Sequence, residues 1–297
     1  MGILARSELV DPELFDAARR LHLSARRVAS QGRFADQRSR DRGMGLEFED
    51  HRPYTPGDDL RAVDWHLHRR LGRLFVRLFE QQEDLPLYLM PDISRSQFLE
   101  NPPRGRAGLR ATVLLAAASL FQHDTVGVFP FGSDLSILSR PAAGRNRAVT
   151  LATRLAALEE GGSTNIPSSV ARLSALGLRR GLVVLVSDLF DPQGIEAVTE
   201  SLGRLRHKLL IVQLTRPVDA NPGLAGDLRL VDCESGAVED VSITPAVQER
   251  YGQAYGAFET HISEFCRVRG IGRIRLNCDE NVVPQLAKVF RPGGFEA

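Results

Sequence analysis

The chain contains little lysine and little cysteine. Lys208 and Lys288 are its only lysines, so nearly all of its basic residues are arginine. This bias is typical of a GC-rich genome and requires no chemical explanation. The three cysteines, Cys233, Cys266 and Cys278, are an odd number without a C-x-x-C spacing. Their count and spacing argue against a structural zinc site and against a disulfide framework, and they fit a reducing compartment.

Long apolar runs are also missing. The most apolar stretch, ATVLLAAASLF at 111–121, falls well short of the ~20 residues that span a bilayer. The first residues, MGILARSELVDPELF, lack the apolar segment of a secretory signal peptide. With 38 basic and 37 acidic residues the formal net charge is +1, which attracts neither nucleic acid nor an anionic membrane. We therefore expect a soluble cytoplasmic protein that neither inserts into a membrane nor binds nucleic acid.

Enzyme signatures are absent as well. The sequence has no G-x-S-x-G elbow, no Walker A loop, no H-E-x-x-H and no G-x-G-x-x-G after a strand. His66 and His68 would share one face of a strand, but no carboxylate or cysteine cluster accompanies them. We expect two surface histidines there, and a protein that is not an enzyme.

The organisation along the chain changes at about residues 45 and 85. An amphipathic helix is predicted in PELFDAARRLHLSARRVAS, and an arginine-rich loop follows it. Next comes the turn TPGDD, in which Asp58 or Asp59 is expected to cap a short helix over LRAVDW, and then the strand-like LFVRLFE. We predict two parts: 1–84, with the N-terminal helix and this block, and 85–297, a larger domain.

Short apolar strands alternate with amphipathic helices from residue 85 onward. The predicted strands are LPLYLMP, TVGVFPF, GLVVLVS, HKLLIVQL, LRLVDC and IGRIRLN. The predicted helices cover 108–122, 146–159, 168–176, 194–205, 246–266 and 282–289. This alternation is typical of an α/β fold, a doubly wound, mostly parallel sheet with helices on both faces. Ligands of such folds bind at the carboxyl ends of the strands.

Oxygen-bearing side chains stand where those strands end. Asp92, Ser94 and Ser96 form D-x-S-x-S after LPLYLMP, and Asp188 ends GLVVLVSD. Thr164 lies between them, in the glycine-rich EEGGSTNIPSS. Carboxylate and hydroxyl oxygens suit Mg²⁺ or another divalent cation, with one position left open. The five residues therefore predict a metal site, although each segment alone would also serve as a helix cap or an Asx-turn.

The order of these segments resembles the metal-ion-dependent adhesion site of von Willebrand factor A domains. Upstream, GLEFEDHRPYTPGDDLRAVDW resembles the hallmark of the bacterial domain of unknown function 58 (DUF58) family. The matching residues are Gly45, Glu47, Phe48, Arg52, Tyr54, Gly57, Asp58, Asp59, Arg61, Asp64 and Trp65. The resemblance covers about residues 40–205. It implies a von Willebrand factor A-like fold with a family-specific N-terminal extension.

The same resemblance implies partners. Members of that family are typically encoded beside AAA+ ATPases of the MoxR type, and the pair is thought to act in chaperone-like assembly or maturation of protein complexes. We therefore expect a protein-binding module in which the cation receives a carboxylate from a partner, with a MoxR-type ATPase and a client protein as partners. The alternatives are a magnesium-dependent hydrolase that uses the same cluster and a structural scaffold with a vacant metal loop.

The R-x-Y-x-x-G-D-D-x-R-x-x-D-W block has two possible roles. Arg52 and Arg61 have aspartates nearby in the sequence, so the block is either a charge-paired folding element or a surface for a partner. We favour a structural role for Asp64 and for Trp65 as an apolar anchor. For Arg52, Asp58 and Arg61 both roles stay open.

Overall fold

The computed structural model of the chain describes residues 3–21, 46–56, 58, 63–81 and 86–289, and for 46–52, 77–81 and 289 only the backbone. The chain divides into two compact units. The larger unit is formed by residues 1–36 and 85–297, and the smaller by 37–84.

The described elements follow one another along the chain in this order. They are α1 (Arg6–Leu9), α2 (Pro12–Arg20), β1 (Leu46–Pro53), α3 (Trp65–Leu71), β2 (Phe75–Gln81), β3 (Leu87–Pro91), a 3₁₀ turn (Arg95–Phe98), α4 (Arg104–Phe121), β4 (Val126–Val128), β5 (Ser139–Ala142), α5 (Arg147–Ala156), α6 (Ile166–Ala175), β6 (Leu182–Ser187), α7 (Ile195–Gly203), β7 (Lys208–Thr215), α8 (Pro217–Ala220), β8 (Gly226–Val231), β9 (Val238–Ile243), α9 (Pro245–Arg269), β10 (Gly272–Asn277) and α10 (Val282–Val289). The smaller unit contains β1, α3 and β2.

A six-stranded sheet forms the centre of the larger unit. Its order is β10–β7–β6–β3–β4–β5, and all neighbours are parallel except the edge pair β4–β5. The chain continues from β3 to β4 on one side and returns to β6 on the other, so β3 and β6 flank a topological switch point. Pro91 pairs with Val186 in the register of these two strands. The residues that follow β3 and β6 therefore emerge side by side at the carboxyl edge of the sheet.

Both faces of the sheet are covered, which explains why its central strands are apolar throughout. In β6, Leu182, Val184 and Val186 face a core shared with α4, α5 and α10. Val183 and Leu185 face a second core shared with α6, α7 and α9. The predicted fold class is thereby confirmed as a doubly wound, mostly parallel α/β sheet with helices on both faces.

The N-terminal helices pack on the larger unit. Leu9, Leu14 and Ala18 belong to the same core as α4. Arg110 of α4 donates to the backbone oxygen of Glu8 at 2.7 Å and to Asp11 Oδ2 at 2.9 Å. The sequence-based division placed the predicted N-terminal helix, now α2, in the first part of the chain, residues 1–84. The structure places it with the α/β domain, because its apolar stripe is buried against that domain.

The smaller unit differs locally from the sequence prediction. Its helix was expected over LRAVDW, but Val63 forms a β-bridge with Val76 and α3 begins at Trp65. The segment WHLHRR is thus helical rather than extended. His66 and His68, two residues apart, consequently do not share a face.

Two further differences concern strands. LRLVDC was predicted within the parallel sheet, whereas β8 pairs antiparallel with β9 in a separate, largely exposed hairpin. The short edge strand β5 was not predicted. Among the helices that the structure describes, none combines the length and the apolar character needed to cross a membrane.

Candidate functional site

Asp92 lies at the end of β3, buried at the carboxyl edge of the sheet. Its Oδ1 accepts hydrogen bonds from the backbone N–H of Ser94 at 2.9 Å and from Ser94 Oγ at 2.7 Å. Its Oδ2 accepts one from Ser187 Oγ, at the end of β6, at 2.7 Å. Ser94 Oγ lies 3.1 Å from Ser96 Oγ. The D-x-S-x-S segment therefore folds back on its own aspartate and presents its hydroxyls as a contiguous row.

The glycine-rich loop is held directly against this segment. Gly161 N–H donates to the backbone oxygen of Ile93 at 2.7 Å, and Arg95 N–H donates to that of Gly162 at 2.8 Å. The loop after β4 also packs on the glycine-rich loop, at Gly132. A Cβ on Gly132 would lie 2.3 Å from the backbone oxygen of Gly161, so these two loops approach this closely only because both residues are glycine. This packing brings the following loop residues, Thr164 among them, to the edge occupied by Asp92.

Thr164 and Ser96 meet at a residue that was not anticipated, Glu234 in the turn of the β8–β9 hairpin. Glu234 Oε1 accepts a hydrogen bond from Ser96 Oγ at 2.8 Å and another from Thr164 Oγ1 at 2.8 Å. Its Oε2 accepts the Thr164 backbone N–H at 2.9 Å. The structure therefore brings Asp92, Ser94, Ser96 and Thr164 into one hydrogen-bonded cluster and adds a carboxylate to it.

Asp188 lies beside this cluster in a network of its own. Its Oδ2 accepts from Gln97 Nε2 at 2.8 Å, and its Oδ1 accepts from the Phe190 N–H at 3.1 Å. Arg104, itself buried, lies 3.7 Å from Asp188 Oδ2 and forms a 2.6 Å ion pair with Asp219. Asp188 is thus held by two hydrogen bonds and one ion pair, next to the hydroxyl row rather than within it.

Burial perturbs both aspartates. It raises the pKa of Asp92 to about 7, with a further contribution from the negative charge of Asp188, while hydrogen bonds from Ser187 and Ser94 act in the opposite direction. Burial also raises the pKa of Asp188, an effect opposed mainly by the Arg104 guanidinium. Two carboxyl groups that resist ionisation side by side favour a positive charge between them.

The donor set fits a hard divalent cation. Mg²⁺ takes carboxylate and hydroxyl oxygens in an octahedron. Asp92 supplies a carboxylate, and Ser94, Ser96 and Thr164 supply hydroxyls. In the described part of the chain, no three His, Cys, Asp or Glu side chains gather to hold a metal, so an ion here relies on hydroxyl oxygens.

One buried acceptor also supports an additional ligand. Gln97 is fully buried and donates to Asp188 through Nε2. Within the described residues its Oε1 has no hydrogen-bond partner. Such an oxygen is costly unless water or an ion completes it. Next to Asp188 the site therefore has one buried acceptor, Gln97 Oε1, that a hydrogen-bond donor or a cation could satisfy.

A cleft of about 420 Å³ opens beside the cluster, between the end of β6 and the hairpin turn. Its polar part includes Ser96 and four carboxylates, those of Asp188, Asp191, Asp232 and Glu234. Phe190 and Phe258, whose rings stack with centroids 5.0 Å apart, contribute its apolar part. These carboxylates repel an acidic group unless a bound cation offsets their charge, while the two rings can contact an apolar side chain.

The R-x-Y block is described only in part. Gly45, Gly57, Asp59 and Arg61 lie outside the described residues. For Glu47, Phe48 and Arg52 only the backbone, in β1, is described. The roles expected for their side chains therefore remain predictions.

The described residues of the block have local partners. Asp64 caps α3, accepting from the backbone N–H of His66 at 3.0 Å and of Leu67 at 3.1 Å. Asp58 closes the turn, accepting from Thr55 N and Oγ1 at 2.9 Å each. The backbone N–H of Tyr54 donates to Leu74.

Trp65 is 54% exposed and contacts His68 edge-on. It therefore does not serve as the buried apolar anchor that we favoured. A partner-surface role for this residue stays a prediction.

Sequence reasoning missed several residues of the site. Ser187 directly precedes Asp188, and a polar strand end is a signal that could have included it. Gln97 and Arg104 follow the D-x-S-x-S segment closely, but neither residue type marks a metal site. Glu234 lies in a different supersecondary element, and nothing in its spacing connects it to Asp92.

Comparison with known families gives one extended match. The model of a family described as "Protein of unknown function DUF58" matches residues 50–260. Among curated proteins, "Uncharacterized protein Rv1480" of Mycobacterium tuberculosis is 25% identical over 292 residues, which covers 96% of this chain and 91% of the relative. "Uncharacterized protein Mb1516" of Mycobacterium bovis gives the same figures.

Solved structures show weaker similarity. An aerotolerance-related membrane protein from Bacteroides fragilis is 14% identical, covers 68% of this chain and 96% of its own, and has a TM-score of 0.39. The conserved hypothetical protein BatB from Bacteroides thetaiotaomicron is 12% identical, with coverages of 62% and 99% and a TM-score of 0.34. Scores this low add nothing to the arrangement of strands already described.

Proposed function

Because the chain belongs to the DUF58 family, we propose that it is a non-enzymatic protein-binding module with a cation-dependent site of the adhesion type. Asp92, Ser94, Ser96 and Thr164 hold Mg²⁺ or another divalent cation, and Asp188 supports it from the adjacent strand end. The cation supplies an attraction for an acidic side chain. We further propose that the partners are a MoxR-type AAA+ ATPase and a client protein, and that the pair assembles or matures protein complexes.

The observation that carries this proposal is the hydrogen-bonded row of Asp92, Ser94 and Ser96, which is connected to Thr164 through Glu234. Its two ends behave differently: Asp92 is buried, whereas Ser96 faces the cleft beside Phe190. Ser96 and Thr164 already direct their hydroxyls at a carboxylate. In this proposal these oxygens bind the cation together, and an acidic group of a partner reaches the cation from the open end, beside Ser96.

The test is association with the MoxR-type ATPase, measured in Mg²⁺ and in EDTA. We expect the wild-type protein to bind at least about tenfold more tightly in Mg²⁺, a coupling of about 1.4 kcal/mol. Asp92→Ala removes a charged ligand and should abolish this difference. Ser96→Ala removes a single hydroxyl and should reduce it, with little risk to folding because Ser96 lies at the cleft.

Asp240→Ala is the matched control, since this aspartate is largely exposed on β9 and away from the cluster. It should bind like the wild type in both buffers. Equal affinity in every combination of protein and buffer would rule out a cation bridge. Association that ignores Mg²⁺ but is lost in the Asp92 variant would assign the site a purely structural role.

The hydrolase alternative draws no comparable support from the described residues. Two-metal hydrolysis commonly uses several carboxylates around the ions, whereas no three His, Cys, Asp or Glu side chains of the described residues are placed to hold a metal together. Turnover of a phosphoester or peptide by the purified protein, lost in Asp188→Ala, would favour the hydrolase instead.

A further inference from the structure

The turn of the β8–β9 hairpin is organised by its own sequence, DCESG. Asp232 Oδ1 accepts hydrogen bonds from the backbone N–H groups of Glu234, at 3.0 Å, and Ser235, at 2.6 Å. Gly236 adopts a φ of 72°, which favours glycine, and closes the turn. The hairpin therefore presents Glu234 in a fixed position at its tip.

The contacts of Glu234 are specific to that residue. Three donors from two separate loops converge on its carboxylate: Ser96 Oγ, Thr164 Oγ1 and the Thr164 backbone N–H. By contrast Glu239 and Asp240, also acidic and on the same hairpin, are exposed. Hydrogen bonds from a backbone N–H and two hydroxyls to one ionised group are the kind that hold a carboxylate firmly.

We propose that Glu234 is an internal carboxylate ligand of the site, and that the hairpin covers the position where an acidic side chain of a partner binds. This inference rests on the proposed function, because it names what the partner must displace. A partner's Asp or Glu would meet the same two hydroxyls and the same N–H. The hairpin and the partner are therefore mutually exclusive ligands.

Replacement of Glu234 by a partner's carboxylate should cost little free energy, because the hairpin makes few other contacts with the described residues. Its two strands pair with each other and with no other described strand. Most of their residues are exposed, so lifting the tip uncovers little apolar surface. Gly223 and Gly226, at its base, have φ values of 65° and 81°, in the region where glycine is freest. The Glu234 hydrogen bonds are thus the main attachment of the tip.

The Thr164 amide reports this contact directly, because its N–H donates to Glu234. We would measure its hydrogen exchange in the full chain, in Mg²⁺ and in EDTA, for the wild type, Glu234→Ala and Glu239→Ala. Loss of a hydrogen bond to a charged group should speed exchange at Thr164 by at least about tenfold in Glu234→Ala. Glu239→Ala should leave it unchanged, and amides of β6 should exchange equally in all three proteins if the fold is intact.

Acetate then tests whether the vacated position accepts an external carboxylate. Removing the Glu234 side chain beyond Cβ leaves space for acetate, which should slow Thr164 exchange in Glu234→Ala toward the wild-type rate. In the wild type acetate should have no effect, since the hairpin already fills the position. Unchanged Thr164 exchange in Glu234→Ala would overturn the proposal, and so would an acetate effect of equal size in both proteins.

The two buffers separate this inference from the cation site. Faster exchange in Glu234→Ala in EDTA supports the covering role of the hairpin, whether or not Mg²⁺ binds. If Mg²⁺ then changes neither exchange nor acetate binding, the cation part of the proposed function fails while the hairpin contact stands. If Mg²⁺ strengthens the acetate effect, both are supported.

Discussion

At the scale of single residues, Asp92 is the clearest case of a side chain whose burial lowers stability and whose position suits a binding site. It is 2% exposed, lies close enough to Asp188 to sense its charge, and is surrounded by hydroxyls rather than by cations. Without a metal its ionised form is therefore poorly solvated. A group kept at such a cost is typical of a functional site rather than of a structural one.

This conflict predicts the effect of Asp92→Asn in EDTA. The pKa of Asp92 is about 7 in the folded state, above its ordinary value of 3.8 in an unfolded chain. Folded protein therefore binds more protons between these values, and wild-type stability should fall as the pH rises from about 4 to about 7. Asparagine keeps the shape but cannot ionise, so the variant should be more stable than the wild type at pH 8, by roughly a few kcal/mol at most.

Urea unfolding at pH 5 and pH 8 would measure this difference. The gap between variant and wild type should widen at the higher pH. A gap that is constant with pH, or a variant that is less stable at pH 8, would contradict the assigned pKa direction.

At the scale of elements, the sequence predicted the strands and helices that carry their own pattern. The continuous apolar runs of β3, β6 and β7 identified central strands, and the polar residues at their ends identified the edge where the site forms. The sequence of a single strand does not show which other strand it pairs with. The exposed hairpin was therefore misplaced, since LRLVDC reads as an apolar strand although its pairing partner lies in the following residues.

The candidate site was likewise predictable only where its residues belong to one local motif. Asp92, Ser94 and Ser96 belong to one local motif, so their proximity follows from the chain itself. Glu234 reaches them only because the hairpin after α8 folds toward the carboxyl edge. That direction is set by tertiary packing, for which a single sequence carries no local signal.

The close contact between Gly132, in the loop after β4, and Gly161, in the glycine-rich loop before α6, gives the prediction at this scale. Gly132→Ala places a methyl group against the Gly161 backbone, and neither backbone can yield without breaking the hydrogen bonds around Ile93. We expect a loss of about 1–3 kcal/mol in unfolding free energy, as for other overpacked sites. Because the loop that carries Thr164 must shift, stabilisation by Mg²⁺ should weaken too.

Gly252→Ala is the matched control, the same substitution within the exposed part of α9, where a Cβ meets nothing within 4 Å. Alanine there should stabilise the helix by about 0.5–1 kcal/mol. Thermal unfolding of both variants, with and without Mg²⁺, separates the two effects. A Gly132→Ala protein as stable and as responsive to Mg²⁺ as the wild type would show that the close approach is dispensable.

At the scale of the whole molecule, the buried charged side chains of the described residues gather at the carboxyl edge of the six-stranded sheet; they are Asp92, Arg104, Asp188, Arg216 and Asp219. A cation at the proposed site would contact residues that follow β3, residues of the loop before α6 and the hairpin, which are far apart in the chain. Binding should therefore stabilise the larger unit as a whole rather than one loop.

The expected consequence is a melting temperature that depends on divalent cations. A cation at one hundred times its dissociation constant should add about 2.7 kcal/mol to the unfolding free energy. Differential scanning calorimetry with Mg²⁺, Mn²⁺ or EDTA would detect it, with Asp92→Asn as the variant that loses it and Asp240→Ala as the one that keeps it. Identical melting in all buffers would leave the scaffold with a vacant loop as the better description.

The buried Arg104–Asp219 pair has a mechanical consequence for the hairpin. Asp219 lies in α8, just before the hairpin, and its backbone oxygen also accepts from the Tyr251 hydroxyl at 2.7 Å. The segment just before the hairpin is therefore anchored to α4 and α9, whereas the tip is held by the hydrogen bonds of Glu234. We expect a force on the tip to break the Glu234 hydrogen bonds before it disturbs Asp219, so that the hairpin moves while the six-stranded sheet stays in place.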